Sequence, residues 1–295
     1  MSRASSPGQR LRELLARPGI LHAPTCDDPL AAKIAEQVGF ECLSLGGYAM
    51  GAHLATTEPL LGLAEVARIV RDIGRACPLP VIADAGAGWG DPLHVIRTVR
   101  DLEAAGAAAM HMEDQVFPKR AHYHKGIEHV VPADAMAAKI RAAGAARRDP
   151  DFVIVARSDA MRTDGYAEGI RRANIYAAAG ADLIMLFPNT ADEARRAPKD
   201  VRAPLVYVNS EGNRLGRPIF GLREAEDLGY KILYDATTVT LMKFTAVRDA
   251  LTRLRATGRT GLDQADMIAL RQAVEDSIGL EEYYRIERDT VEPDN

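Results

Sequence analysis

Four times along the chain an amphipathic stretch ends at a glycine, and a short apolar run follows within two residues. The glycines are Gly39, Gly106, Gly180 and Gly229, and the runs after them are residues 42–45, 108–112, 183–187 and 231–234. Glycine takes the left-handed conformation that ends many helices, and a short apolar run is typical of a strand buried on both faces. Each repeat therefore predicts a helix followed by a parallel strand.

Four further apolar runs bring the predicted strands to eight, at residues 20–23, 81–83, 152–156 and 205–208. Helical patterns cover residues 63–77, 92–105, 133–147 and 166–179. Eight strands alternating with helices over about 240 residues predict an α/β fold, a closed (β/α)8 barrel of the TIM type. An open doubly wound sheet is the alternative. Its dinucleotide-binding version has little support, because no Gly-x-Gly-x-x-Gly follows the first strand.

The end of the chain carries one or two more predicted helices over residues 264–288. We expect a single domain over residues 1–295, with the barrel over 19–260 and a C-terminal helical extension over 261–290. Apolar residues at helical spacing are Met267, Ile268, Leu270, Val274, Ile278 and Leu280. An apolar stripe left over after eight barrel units needs another surface to cover it. We therefore expect a homo-oligomer, a dimer or a tetramer with closed symmetry.

Composition narrows the classes of partner. Hydrophobic residues make up 47% of the 295 residues and charged residues 26%, which is typical of a globular protein. Lys and Arg number 37 against 41 Asp and Glu, so there is no basic excess to attract nucleic acid or an acidic membrane. A small molecule is the expected partner. Residues 1–10 lack the apolar core of a signal peptide, and no apolar run approaches about 20 residues, so we expect neither export nor a membrane anchor. Cys26, Cys42 and Cys77 form neither a disulfide framework nor a zinc motif, so we expect a cytoplasmic protein.

Polar residues follow the predicted strands at their carboxyl ends, where barrels of this type carry their chemistry. They are Gly46, Gly47 and Tyr48 after the second run, Asp84 after the third, Glu113, Asp114 and Gln115 after the fourth, Arg157, Ser158 and Asp159 after the fifth, Asn209 and Glu211 after the seventh, and Asp235 after the eighth. Any single aspartate here could cap a helix. Several carboxylates on one rim repel one another unless a cation neutralises them, and oxygen ligands suit Mg²⁺, with Mn²⁺ as a substitute.

Residues 113–131 form a predicted loop of roughly 18 residues, longer than compact domains usually carry without a function. Its polar residues include Lys119, Arg120, His122, Tyr123 and His124. We expect a lid that closes over an anionic substrate and supplies proton donors. A solvated basic loop and a zinc site built from the loop histidines are the alternatives. His22 and His111 lie within predicted strands and are expected to be core or barrel-lining residues.

Residues 81–90, 113–120 and 155–160, with the pair 211–212, are similar to motifs of the isocitrate lyase and phosphoenolpyruvate mutase superfamily. The resemblance covers about residues 24–235 and implies a Mg²⁺ ion held by Asp84, Glu113 and Glu58. It also implies that Arg157 holds the substrate anion and that residues 46–48 cradle a carboxylate. The shared chemistry breaks a bond next to a pyruvate-like enolate. Tetramers in which a C-terminal helix packs on a neighbouring subunit are implied as well.

The sequence departs from the family pattern at four places. The usual Asp-x-Asp is Asp84-Ala85-Gly86, and the lid reads Lys-Arg-Ala-His-Tyr over residues 119–123 without the usual cysteine. Phe187-Pro188 replaces a common glutamate, and Gly46 replaces a serine. These departures point away from ordinary isocitrate or methylisocitrate cleavage. With no lid thiol, His122 or His124 is the expected proton donor, because the pKa of histidine is near neutrality.

The leading functional hypothesis is a Mg²⁺-dependent lyase that cleaves a carbon–carbon bond of a small 2-oxo or 2-hydroxy dicarboxylic acid. Oxaloacetate decarboxylation and phosphonopyruvate chemistry are the rivals within the enzyme class, and a carboxylate-binding barrel with weakened catalysis is the rival outside it. The expected catalytic residues are His122, His124, Tyr123, Arg157, Lys119 and Arg120. The expected substrate-binding residues are Gly46, Gly47, Tyr48, Arg157, Asn209 and Glu211.

Overall fold

The computed structural model describes residues 5–292, and within them eight parallel strands form one sheet. The strands are β1 Leu21–Pro24, β2 Leu43–Leu45, β3 Val81–Asp84, β4 Ala109–Glu113, β5 Val153–Arg157, β6 Leu183–Met185, β7 Leu205–Asn209 and β8 Ile232–Asp235. Hydrogen-bonded neighbours run β1-β8-β7-β6-β5-β4-β3-β2. A parallel bridge between Thr25 and Ser44 spans the remaining gap. The barrel is nearly closed, and the predicted (β/α)8 fold is confirmed.

Helices flank the sheet and continue beyond it. They are α1 Pro7–Ala16, α2 Pro29–Val38, α3 Gly47–His53, α4 Leu63–Ala76, α5 Pro92–Ala105, α6 Ala133–Ala146, α7 Ala160–Thr163, α8 Tyr166–Ala178, α9 Ala191–Asp200, α10 Leu222–Leu228, α11 Thr238–Thr257, α12 Gln264–Ser277 and α13 Leu280–Thr290. Short 3₁₀ turns cover Glu58–Leu60 and Ala121–Lys125. The helices predicted over 63–77, 92–105, 133–147 and 166–179 each end within one residue of α4, α5, α6 and α8.

The helix–glycine–strand junctions form as the sequence predicts. Gly39, Gly106 and Gly229 follow their helices with φ of 100°, 96° and 97°, in the left-handed region that a side chain disfavours. Several strands end one residue later than the apolar runs do, because the polar residue that follows joins the sheet. Glu113 therefore pairs in register with Arg157, and the sheet places both side chains at one end of the barrel.

Helix α1, which the sequence pattern did not predict, covers the amino ends of the strands. Leu11 is fully buried and belongs to the apolar cluster inside the barrel. Arg12 donates a hydrogen bond to the Asp151 carbonyl (3.0 Å) and pairs with Asp182 (2.9 Å), at the starts of β5 and β6. A Cβ on Gly8 would lie 2.7 Å from the Asp151 carbonyl carbon, so glycine permits this close approach. The opposite end of the barrel stays open.

The last helices lie outside the strand-and-helix barrel. Ser277 of α12 donates a hydrogen bond to Gln37 of α2 (3.0 Å). Large apolar side chains on α12 and α13 are exposed, among them Met267, Ile268, Leu270, Val274, Tyr283 and Ile286. The oligomer predicted from this stripe stays a prediction. Among residues 5–292, every helix is too short or too polar to cross a bilayer.

Candidate active site

A cavity of about 580 Å³ opens at the carboxyl ends of the strands. The predicted site residues that line it are Gly46, Gly47, Tyr48, Glu58, Asp84, Tyr123, His124, Arg157 and Glu211. Glu113 and Lys119 are buried beside it, whereas Arg120 and His122 are exposed and lie outside its wall. Residues far apart in the sequence therefore meet here because parallel strands all end at the same edge.

Two carboxylates share the ammonium of Lys119 within the site. Lys119 Nζ contacts Glu58 and lies 2.7 Å from Glu113 Oε1, and Arg157 Nη1 lies 3.0 Å from Glu113 Oε2. Burial raises the pKa of Glu113 to about 7, although Arg157 and Lys119 oppose this shift. Burial alone lowers the pKa of Lys119, but Glu113 and Glu58 raise it above its usual value. The lysine therefore stays charged and ties the loop after β4 to the strand end.

Asp84 is held as a buried carboxylate by two backbone donors. Gly47 N–H donates to Oδ2 and Gly86 N–H to Oδ1, both at 2.8 Å. Burial raises the pKa of Asp84, but His111, 3.6 Å away, and Lys119 lower it below its usual value. Gly47 has no room for a side chain, because a Cβ would lie 2.2 Å from the Glu58 carboxyl carbon. The Gly47 N–H already donates to Asp84. The predicted carboxylate cradle therefore depends on the residues next to Gly47 at the start of α3.

A buried polar network behind the cavity fixes the position of Arg157. Arg157 Nη2 lies 3.0 Å from Asp159 Oδ2, and the Asp159 N–H donates to Asp114 Oδ1 at 2.9 Å. Tyr176 donates to Asp114 Oδ2 at 2.8 Å, and Arg172 at 3.2 Å. Sequence reasoning missed Tyr176 and Arg172, since polar residues on one face of α8 carry no motif. The network satisfies Asp114 in the interior and keeps Arg157 aimed at the cavity.

Both candidate lid histidines are exposed, but of the two His124 lines the cavity. His124 Nε2 forms a hydrogen bond with Thr57 Oγ1 (2.9 Å), and its ring lies 4.1 Å from the Tyr123 ring. Burial lowers the pKa of His124, so its neutral form prevails at pH 7. Tyr123 donates to Glu58, and burial with that contact raises the pKa of Tyr123. His122 forms no part of the cavity wall. The structure thus favours His124 of the two.

The two substrate-binding residues predicted after β7, Asn209 and Glu211, have different positions in the structure. Asn209 Nδ2 donates to the Phe220 carbonyl (2.7 Å), and the Phe220 N–H donates to Asn209 Oδ1 (3.1 Å). Asn209 therefore clamps the loop and does not line the cavity, whereas Glu211 does. Arg162, Phe187 and Arg217 also line the cavity, and sequence reasoning did not include them among the site residues.

The donor chemistry of the predicted metal residues fits a hard cation. Neither oxygen of the buried Glu113 carboxylate accepts a regular hydrogen bond from the described residues, and each oxygen forms an ion pair, one with Lys119 and the other with Arg157. Asp84 and Glu58 add further carboxylate oxygens, which suit Mg²⁺. Within residues 5–292, the group whose ligand atoms all lie within 4.8 Å of one another is instead Asp27, Asp28 and His53.

That second acidic group already has a cation. Lys243 Nζ lies 3.2 Å from Asp27 Oδ1 and also contacts Asp28. Asp28 in addition caps α2 by accepting the Ala31 N–H (2.8 Å). An ion pair and a helix cap therefore account for this group.

The chain is similar to known proteins over most of its length. The family model described as phosphoenolpyruvate phosphomutase matches residues 11–255. The chain is 38% identical over 281 residues to 2-methylisocitrate lyase of Aeropyrum pernix, covering 94% of this chain and 89% of the relative. It is 34% identical to 2,3-dimethylmalate lyase of Eubacterium barkeri, covering 94% and 96%. The solved complex of phosphonopyruvate hydrolase with oxalate and Mg²⁺ is similar with a TM-score of 0.85, 29% identity and coverage of 97% and 99%.

Proposed function

Because the chain belongs to the phosphoenolpyruvate phosphomutase family, we propose that it is a Mg²⁺-dependent lyase acting on a small 2-oxo or 2-hydroxy dicarboxylic acid. It cleaves a carbon–carbon bond beside a pyruvate-like enolate. The observation that carries this proposal is the Glu113 carboxylate, buried beside the cavity, whose two oxygens form ion pairs with Lys119 and Arg157 and accept no regular hydrogen bond from the described residues. A buried carboxylate of this kind suits a site built to hold a cation and an anionic substrate together.

Asp84, Glu113 and Glu58 would hold the Mg²⁺ ion. When bound, the ion supplies positive charge that stabilises the developing enolate oxygen. Gly86 stands where the family usually has a second aspartate, and a Cβ at Gly86 would meet nothing within 4 Å. This open space suits water, and with one carboxylate fewer we expect weaker Mg²⁺ binding than in a complete family site.

Arg157 orients the substrate by binding its carboxylate. The guanidinium is already braced by Asp159 and by the Asp114 network, so little reorganisation accompanies binding. Gly46 and Tyr48 border the same cavity and leave room for the anion close to the backbone.

His124, which lines the cavity, is the lid residue that transfers the proton. A neutral His124 accepts a proton before it donates one, so it suits taking the hydroxyl proton from a 2-hydroxy acid and returning it to the carbanion. Tyr123, with its hydroxyl directed at Glu58, packs on the His124 ring and limits its orientation. Lys119 anchors the loop that carries both residues.

A substrate screen tests the function directly. Purified enzyme is incubated with 2-oxo and 2-hydroxy diacids, with and without Mg²⁺, and pyruvate, glyoxylate and CO₂ are measured separately. We expect Mg²⁺-dependent release of a pyruvate-like or glyoxylate-like product, lost in Glu113→Gln and retained in Asp27→Asn. Release of CO₂ alone from oxaloacetate would assign decarboxylation instead. Binding of diacids without turnover of any of them would overturn the lyase proposal.

A further inference from the structure

Three arginine side chains surround one aromatic ring in the cavity wall. The guanidinium carbons of Arg157, Arg217 and Arg162 lie 4.6, 4.9 and 5.6 Å from the centre of the Phe187 ring. All four residues line the cavity. Like charges this close together repel one another, and contact with a ring face offsets only a small part of that repulsion. The arrangement therefore needs negative charge nearby.

Two of the three arginines have carboxylate partners, and the third has none. Arg157 pairs with Glu113 and Asp159, and Arg162 lies 2.7 Å from Glu128 Oε1. Within residues 5–292, the Arg217 guanidinium forms neither an ion pair nor a hydrogen bond. It lies against the ring of Phe187. Arg217 is only 8% exposed. A mostly buried guanidinium whose donors find no acceptor within the described residues can donate them to an anion in the cavity.

The electrostatic surroundings of Arg217 also favour the binding of an anion. Burial first, and then the positive charges of Arg162 and Arg157, lower the pKa of Arg217 to about 10. The positive charges of Arg162 and Arg157 that disfavour the Arg217 cation also favour an anion that enters the cavity beside the guanidinium. Arg162 adds to the effect, because its Nε is buried without a hydrogen-bond partner in the described chain.

The loop that carries Arg217 is fixed from both sides. Tyr207 donates to the Pro218 carbonyl (2.7 Å), and Asn213 Oδ1 accepts the Arg217 N–H (2.8 Å) while its Nδ2 donates to the Arg217 carbonyl (3.2 Å). The clamp of Asn209 on Phe220 holds the following residues. The backbone of Arg217 is thus held in place before any ligand arrives, which lowers the entropy lost on binding.

We propose that Arg217 binds the second carboxylate of the substrate, the one remote from the reacting carbon. This inference rests on the proposed function, in which Arg157 and the cluster of Asp84, Glu113 and Glu58 bind the reacting end. The planar guanidinium can form two parallel hydrogen bonds to a carboxylate, and Arg162 contributes a second positive charge. The enzyme therefore selects diacids over monoacids of the same length, and Arg217 sets that preference.

A matched pair of ligands tests the assignment by isothermal titration calorimetry in the presence of Mg²⁺. Malate and 2-hydroxybutyrate share the 2-hydroxy acid end, but only malate carries a second carboxylate. Oxalate reports on the reacting end alone. We expect wild type to bind malate at least 10-fold more tightly than 2-hydroxybutyrate. Arg217→Gln should reduce that ratio to less than about 3-fold while leaving oxalate and 2-hydroxybutyrate binding within about 3-fold of wild type.

Two further variants separate charge, geometry and folding. Arg223→Gln removes an exposed arginine from nearby α10 and should keep the wild-type preference for malate. Arg217→Lys keeps the charge without the planar fork and should show an intermediate ratio, which also tests the idea should Arg217→Gln not fold. An unchanged malate preference in Arg217→Gln overturns the Arg217 assignment, and, should that variant not fold, an unchanged preference in Arg217→Lys overturns it instead.

The oxalate measurement distinguishes failure of the inference from failure of the proposed function. If wild type binds oxalate with Mg²⁺ but shows no preference for malate, the Arg217 assignment is wrong and the proposed active site stands. If wild type binds neither oxalate nor malate with Mg²⁺, the proposed function fails and the assignment fails with it.

Discussion

Lys119 places its ammonium 2.7 Å from Glu113 Oε1, so a lysine from the loop after β4 is seated on the carboxylate that ends β4. The same ammonium contacts Glu58. It supplies the positive charge that would otherwise be missing between two buried carboxylates. Because Mg²⁺ is proposed to bind the same oxygens, lysine and metal share one anionic site.

Replacing Lys119 should lower the stability of the folded protein and increase its affinity for Mg²⁺. In Lys119→Gln the two carboxylates lose their shared cation, and the free energy of unfolding should fall by about 3 kcal/mol without Mg²⁺. Millimolar Mg²⁺ should restore part of this loss, since it binds the folded state. Urea denaturation with and without Mg²⁺ measures both effects. Lys125→Gln, an exposed lysine of the same loop, is the control. A loss of stability that Mg²⁺ does not reduce would contradict the shared site.

The position of the metal can be decided by comparing two acidic groups. Calorimetry with Mg²⁺ and Mn²⁺ in the presence of oxalate should show binding to wild type that falls at least 10-fold in Asp84→Asn and Glu113→Gln. Asp27→Asn should bind the ions like wild type, because Lys243 already neutralises that group. If Asp27→Asn lost ion binding while Asp84→Asn and Glu113→Gln kept it, the metal site would instead be the group of Asp27, Asp28 and His53.

The two lid histidines should differ in their effect on turnover. His124→Ala should lower kcat by roughly 10²- to 10⁴-fold with a smaller change in KM, because positioned proton transfer has that magnitude. His122→Ala should keep kcat within about 3-fold of wild type, because His122 does not line the cavity and a surface change away from the site rarely exceeds a few tenths of a kcal/mol. Steady-state assays use the diacid identified by the screen. Full turnover in His124→Ala would shift attention to Tyr123.

The cysteines should be inert in the folded protein. All three are buried and free, and burial raises the pKa of Cys26 and Cys42 to about 12. At pH 8 a thiol with that pKa has a thiolate fraction on the order of 10⁻⁴, so alkylation is slow. We expect iodoacetamide to leave activity unchanged in native enzyme and to modify all three cysteines after denaturation. Rapid inactivation at pH 8 would show that a thiol contributes to catalysis.

The exposed stripe on α12 and α13 should form a subunit interface. Ile268 is 59% exposed and Ile286 45%, and exposed apolar side chains that lie together often mark an interaction surface. Light scattering should give a mass that is two or four times 32.0 kDa. Ile268→Asp combined with Ile286→Asp should shift that mass towards the monomer. A stable wild-type monomer at micromolar concentration would exclude the interface.

The amino-acid sequence by itself determined the barrel and the rim of its active site. Glycine-ended helices followed by apolar runs occur with a spacing that only alternating helices and parallel strands satisfy. All parallel strands end at the same edge, so Asp84, Glu113 and Arg157 had to meet there without any knowledge of the loops. The helices α4, α5, α6 and α8 followed from apolar periodicity, since each buries one face against the sheet.

Only the tertiary structure decided how those residues are partnered. The choice between His122 and His124 depends on a 3₁₀ turn within the loop, and the seating of Lys119 on Glu113 depends on the path of that loop. Arg217 carries no motif, and it lies against Phe187 in a loop that a hydrogen bond from β7 holds in place. Local patterns specify helices and strands, whereas contacts between loop side chains depend on packing between distant segments, which local periodicity does not encode.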